Sequence, residues 1–410
     1  MDTWNGESVE LPRLKENAEK GIFDWNIYNC AQFKFLADYV NNTLTEEEEK
    51  LITDKGLTKE DIKITADAQI NLKNNLDLGA RFDESGNMTS GTAWIPVGLL
   101  EANTLLGTFE GNNHYITGIY INSPTTNFVG IFGNANSICN LSVRNSYIVG
   151  SGNVGGIVGN VSDGSVYNCS NIKTTVKGNY KNTGGIVGQL SGNMENCYNT
   201  GEISSSYFGV GGIVGYTLVN SNITKCYNAG KIINTLEGNA VAGGIVGNTE
   251  SPTHINYCYN IGDVLCTGYG AGGIVASIGN GSTITDCYNF GNVIGTKYAT
   301  GSGESKIGGI FGDSYKSTIT NCHNVGTITG TGKWRGSIGG DIYTTTLSNS
   351  NYLKGSCSGG IGTNSSSTIT NCLEKETITG QNIYEWLSVT SNNWKIDSNK
   401  NNGYPILSWQ

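Results

Sequence analysis

The chain has 410 residues, enough for two or three ordinary domains or one long solenoid, and carries a net charge of −9. Glycine fills 59 positions and charged side chains only 14% of the chain, a balance that points to turn-rich β-structure rather than helix. Residues 1–60 hold 13 acids and 7 bases, whereas residues 151–330 hold 9 and 8; with no basic stripe, nucleic acid and anionic membrane make poor partners.

Residues 1–20 are polar and acidic, without the apolar core of a signal peptide. No apolar run approaches the ~20 residues of a membrane span, so membrane insertion is not expected. Either the chain is a mature segment of an extracellular or cell-surface protein or it stays in the cytoplasm; the first is expected, because it is the setting in which long Asn/Gly/Thr-rich solenoids are typical. Phe33, Leu36, Ala37 and Val40 then recur at helical spacing within residues 31–42 and predict an amphipathic helix. A second short helix is expected from Thr45, with Glu48 completing a capping box, to about Gly56. The run Glu46 to Glu49 reads as a solvated helix face. Beyond it the period becomes two: Ile62 and Ile64, Ile70 and Leu72, then Leu76 and Leu78 alternate with polar neighbours as half-buried strands.

From residue 155 a Gly-Gly-Ile-Val-Gly block returns at Gly155, Gly184, Gly211, Gly243, Gly272 and Gly308, the first glycines standing 29, 27, 32, 29 and 36 residues apart. A weaker copy precedes them at Val129–Gly133, and frayed ones follow at Gly339-Gly340 and Gly359-Gly360. Such a period marks stacked units, each too small to bury its apolar face alone. Within one unit, Ile284 and Cys287 are three apart and cannot both point inward from one straight strand. A bend at Asp286, where other copies have Asn168, Asn196 or Asn321, resolves the conflict, because Asn and Asp tolerate the left-handed conformation. Each unit therefore reads as three short strands separated by bends, and about eleven coils at ~4.8 Å make a rod of roughly 50 Å.

Cys169, Cys197, Cys226, Cys258, Cys287 and Cys322 each fall 12 to 14 residues after the second glycine of a pair. Parallel neighbours in register aim their Cβ atoms alongside one another, so a ladder of free, buried thiols is expected rather than disulfides. The asparagines Asn199, Asn228, Asn260, Asn289 and Asn324 are expected to form a second, hydrogen-bonded ladder. Tyr198, Tyr227, Tyr259 and Tyr288 form a third column. Facing outward, they would make a ligand-binding ridge for sugar rings or a protein; facing inward, they would be packing.

The Gly-Gly-Ile-Val-Gly unit followed by Asn196-Cys197-Tyr198-Asn199 resembles the GLUG-motif repeat of bacterial surface proteins. The lead-in Trp94-Ile95-Pro96-Val97-Gly98, the run Gly107 to His114 and the Gly403-Tyr404-Pro405-Ile406-Leu407 ending are similar to the flanks of those proteins. The resemblance spans roughly residues 30–410. It implies a secreted or surface, often adhesin-like, right-handed parallel β-helix (β-solenoid), hence an all-β fold class. GLUG repeats also accompany the catalytic part of some immunoglobulin-cleaving metallopeptidases, but the HExxH zinc signature is missing from this sequence. The expected organisation is a small helical cap at residues 1–60, lead-in coils at 61–150, GLUG-type coils at 151–378 and a C-terminal cap at 379–410. That last segment is expected to close the stack.

Chemistry-bearing motifs are sparse. Gly150–Gly155 and Gly268–Gly273 match GxGxxG without a helix to follow. Gly330-Thr331-Gly332-Lys333 fails as a P-loop, because Trp334 follows the lysine and position 327 is threonine. His114, His254 and His323 are far apart, and Cys322-His323 is the Cys-Tyr pair of the repeat with tyrosine replaced. Thr-Ile-Thr at Thr283, Thr318 and Thr368 resembles the threonine arrays with which some solenoids bind ice, but Asn222-Ile223-Thr224 and His254-Ile255-Asn256 break the pattern. No catalytic residue, cofactor or metal ligand is expected. The sequence is read as a non-enzymatic surface β-helix, monomeric, acting as an adhesin or a stalk toward a host glycan or extracellular protein. The alternative is a polysaccharide-active or carbohydrate-binding β-helix, which would need acids from neighbouring coils to meet in one groove.

Overall fold

The computed structural model describes residues 3–296, 305–389 and 391–410. Over these residues the chain is an all-β solenoid whose coils stack through sheets of nineteen, eleven, eight and seven strands, parallel except for the Arg13–Asn17 and Ile22–Ile27 pair. One coil shows the logic. Gly209–Gly211 forms a strand of the seven-stranded sheet, Val214–Thr217 and Ser221–Thr224 lie in the largest sheet, Tyr227–Asn228 in the eleven-stranded sheet and Ile232–Asn234 in the eight-stranded one. A coil thus has five short strands, not three, because the chain turns within Gly-Gly-Ile-Val and again between Thr217 and Ser221.

The corner after Thr224 is the predicted bend. Asn168, Asn196, Lys225, Tyr257, Asp286 and Asn321 all have φ between 52° and 55°. The left-handed residue reverses the alternation, so that Ile223 and Cys226 both face inward and are fully buried. Val210, Ile213, Cys226 and Ile232 of this coil belong to one continuous core that runs the length of the stack.

The two helices of the N-terminal part plug the first coils. α1 (Cys30–Asn41) starts at Asn29, whose side chain accepts from the Gln32 amide, and ends on left-handed Asn42. Its Phe33 ring stacks on Trp94 at 4.9 Å and meets Phe109 and Phe132 edge-on at 6.0 and 6.2 Å. α2 (Glu46–Thr53) has the expected Thr45/Glu48 capping box, so Glu48 is buried at the helix start while its neighbours are solvated. Ile62 and Ile64 are buried, but Ile62 lies in a turn and Ile64 in irregular chain, not in a strand.

The C-terminal segment consists of α3 (Gly380–Ser388), capped by Thr379 and Asn382, and the antiparallel pair Trp394–Lys395 with Ile406–Leu407. It packs along the flank of the solenoid rather than across its end. The last coil stays open, with Ile369 and Leu373 41% and 44% exposed.

Candidate functional site

The three columns are built as one device. The six cysteines from Cys169 to Cys322 are free and fully buried. Each thiol points at the carbonyl two residues back, as Cys226 Sγ does to Thr224 at 3.2 Å. Burial pushes the Cys169, Cys226 and Cys287 thiols well up, away from thiolate chemistry. The asparagine ladder runs Asn199 to Asn228, Asn260, Asn289 and Asn324 through Nδ2–Oδ1 bonds of 2.8, 2.8, 2.9 and 2.9 Å. Each of these amides also donates to the glycine carbonyl two residues on, as Asn228 does to Gly230 at 2.8 Å.

The tyrosines face outward and stack. Tyr198–Tyr227, Tyr227–Tyr259 and Tyr259–Tyr288 have centroids 5.0, 5.0 and 5.1 Å apart, with interplanar angles of 5° or less. An open four-ring ridge does not result, because the C-terminal segment covers half of it. Trp394 lies on Tyr259 and Tyr288, Tyr259 Oη donates to Gln410 at 2.9 Å, and Tyr288 Oη donates to the Pro405 carbonyl. Both rings are fully buried, and burial holds the Tyr288 hydroxyl well above its usual range. Trp409 reaches Tyr198 and Tyr227 at 6.2 and 6.0 Å and donates to the Lys225 carbonyl. Tyr198 and Tyr227 remain half-buried. The sequence carries no sign of this lid, since Lys225 and Trp409 are 184 residues apart.

A second aromatic surface lies outside the repeat columns. Tyr180 and Tyr207, in the links that precede two glycine pairs, stack at 4.8 Å and are 48% and 40% exposed. With Phe208 and Tyr216 they line an open groove of about 370 Å³ to which Asn182, Gln189 and Asn248 contribute amides. The two tyrosines are 27 residues apart, the same interval as Gly184 and Gly211, so each stands four residues before a glycine pair, but the other coils carry Ser151, Asn239, Gly268 and Glu304 there and no column shows.

Acids from neighbouring coils do meet at Asp313 and Asp341. Asp313 and Asp341 are in register on adjacent strands, and Lys306 Nζ pairs with both, at 3.0 and 2.8 Å. The ammonium also lies 4.9 Å over the Tyr269 ring. Burial raises the Asp313 carboxyl against the pull of Lys306. Burial works against the Lys306 charge, but Asp341, Tyr269 and Asp313 outweigh it and hold the ammonium above its ordinary value. The pair is therefore an ion-bridged triad, with its carboxylates engaged by a cation on the protein itself.

The three histidines stay separate: His114 meets Asn75, His254 meets Thr283, and His323 is buried beside Trp386. Among the described residues no three His, Cys, Asp or Glu side chains converge as a metal ion would require. The threonine rungs are longer than the sequence pattern suggested, with Thr283, Thr318, Thr346 and Thr368 in register over four coils.

Residues 179–204, one coil with its glycine pair and its Asn-Cys-Tyr-Asn run, match the family model described as the GLUG motif. The chain contains GLUG repeats. A 126-residue stretch, 30% of the chain, is 32% identical to halomucin of Haloquadratum walsbyi (strain DSM 16790 / HBSQ001) and spans 1% of that protein. The GLUG solenoid is also similar, at 18% identity and a TM-score of 0.49 over 95% of this chain and 93% of the other, to the crystal structure of a proposed immunoglobulin A1 protease from Bacteroides ovatus. That likeness is too distant to bear on activity. No helix among the described residues is long and apolar enough to cross a membrane.

Proposed function

We propose that this GLUG β-helix is a non-enzymatic, extracellular or cell-surface protein with an adhesin-like role, holding a glycan or an extracellular protein on its flank. The observation that carries the reading is the Tyr180–Tyr207 platform: two stacked rings open to solvent, ringed by three side-chain amides. Stacked aromatic faces offer contact area at little conformational cost, and adjacent amides supply orientation. Such a surface is unneeded in a pure stalk. The polysaccharide-active alternative draws on Asp313 and Asp341, but the Lys306 bridge ties up the carboxylates that acid–base work would require.

Binding of the labelled protein to an array of glycans, mucins and matrix proteins tests this reading. A specific hit that falls at least tenfold in Tyr180→Ala and Tyr207→Ala supports it. Silence across the array, or a hit indifferent to both substitutions, removes the platform as the binding face. Release of reducing ends from an arrayed polysaccharide, lost in Asp313→Asn, would establish the alternative.

A further inference from the structure

The outward column of the eleven-stranded sheet is not tyrosine throughout. Rung by rung it reads Tyr115, Ser142, Ser170, Tyr198, Tyr227, Tyr259 and Tyr288. Two serines interrupt the stack between Tyr115 and Tyr198. The Arg144 side chain fills the first interruption: its guanidinium lies 4.2 Å over the Tyr115 ring, and its Nε donates to Ser142 Oγ at 3.1 Å. Ser170 donates to Ser142 at 2.9 Å and places no ring on its own rung.

The result is a gap with two unlike walls. Three rungs at ~4.8 Å, less the guanidinium layer, leave on the order of 10 Å between Arg144 and the face of Tyr198. A cavity of about 340 Å³ occupies it, with Ser142 and Ser170 at its floor, Asn140, Asn168 and Asn196 along one rim, and Trp409 beside Tyr198. The rim amides form their own chain, Asn196 to Asn168 at 3.1 Å and Asn168 to Asn140 at 2.8 Å. No acid lines the cavity, and Arg144 makes no ion pair among the described residues.

These walls select a ligand class. A flat aromatic ring touching both faces would need only about 7–8 Å, two van der Waals contacts, and would leave the gap underfilled. A saturated six-membered ring is thicker and presents a C–H face to Tyr198 and hydroxyls to the amide rim. The guanidinium, without an ion-pair partner among the described residues, favours a carboxylate. We propose that the gap is a binding site for a uronic acid residue, stacked on Tyr198 with its carboxylate on Arg144. The site lies on a different sheet from the Tyr180–Tyr207 platform and stands or falls independently of it.

The test is titration of the intact protein with D-glucuronate, read by saturation-transfer NMR and calorimetry, with D-glucose and benzoate as controls. Glucuronate is expected to bind at least tenfold more tightly than glucose, and to weaken as salt is raised. Ser170→Tyr, which places on this rung the residue that the next four coils carry, should abolish binding. Arg144→Gln should weaken it at least tenfold. Should Ser170→Tyr fail to fold, as circular dichroism would show, Arg144→Gln alone decides. Absence of glucuronate binding to the wild-type chain overturns the proposal, and so does binding indifferent to Arg144→Gln. Preference for benzoate over glucuronate overturns the sugar assignment.

Discussion

His323 stands on the rung after Tyr288, and its burial makes it sensitive to acid. The ring is fully buried; Nδ1 accepts from the Asn351 amide at 3.2 Å, and Nε2 faces Asn321 Oδ1 at 2.9 Å. That arrangement suits the neutral ring with its proton on Nε2, and burial lowers the pKa from 6.5 to about 3. A folded-state pKa below the unfolded one contributes stability that is complete above pH ~6.5 and is lost as pH falls toward 3. The full effect is on the order of 3–5 kcal/mol. Urea midpoints measured from pH 7 down to pH 4 should therefore fall, and in His323→Gln the part of that slope due to this ring should vanish. An unchanged slope in the variant would show that the ring is not held neutral in the folded state.

At the scale of the element, the paired glycines and the asparagine ladder answer the same steric problem. A Cβ on Gly211 would lie 2.0 Å from the Val214 carbonyl oxygen of its own turn. One on Gly212 would lie 2.1 Å from the Gly244 carbonyl oxygen and 2.4 Å from Asn228 Cγ. The first glycine is thus required by the tight turn, and the second by the approach of the next coil and the ladder amide. Asn260→Ala removes an amide that donates to Gly262 and Asn289 and accepts from Asn228. The buried groups it strands are expected to cost about 2–4 kcal/mol. Gly212→Ala should cost at least about 2 kcal/mol through overpacking against backbone. Denaturant midpoints check both; Asn260→Ala at wild-type stability would mean that the ladder is incidental.

These elements were legible because they repeat. Asp286 and its asparagine equivalents announced the left-handed corner, and Cys287 lying three residues after Ile284 required it. What stayed hidden left no repeated side-chain signal. The fifth strand of a coil arises where Gly-Gly-Ile-Val itself turns, a feature of backbone geometry with no side-chain signature. Tyr180 and Tyr207 stand four residues before a glycine pair in two coils only, too few to read as a column. Asp313 and Asp341 come together only once the register of two coils is known, and Lys306 reaches them from another sheet.

For the whole molecule, the decisive fact is that the C-terminal segment has an apolar cluster of its own, separate from the one in the lumen. Built from Tyr259, Tyr288, Ile378, Ile383, Leu387, Trp394 and Leu407, it holds the segment to the flank. The lumen is continuous over every coil, whereas the flank cluster depends on a few large side chains and a handful of hydrogen bonds. A segment attached in this way opens at a free energy below that of the global transition. Trp394 is its hub, touching both buried tyrosines. Trp394→Ala should remove about 3–5 kcal/mol of packing, release residues 379–410 and uncover Tyr259 and Tyr288. The far-UV signal of the solenoid should persist, while limited proteolysis cuts within the released segment and the tyrosine strip binds a hydrophobic dye. If the variant instead unfolds in a single step with its coils, the segment is an integral part of the solenoid's cooperative unit, and the open last coil relies on it for stability.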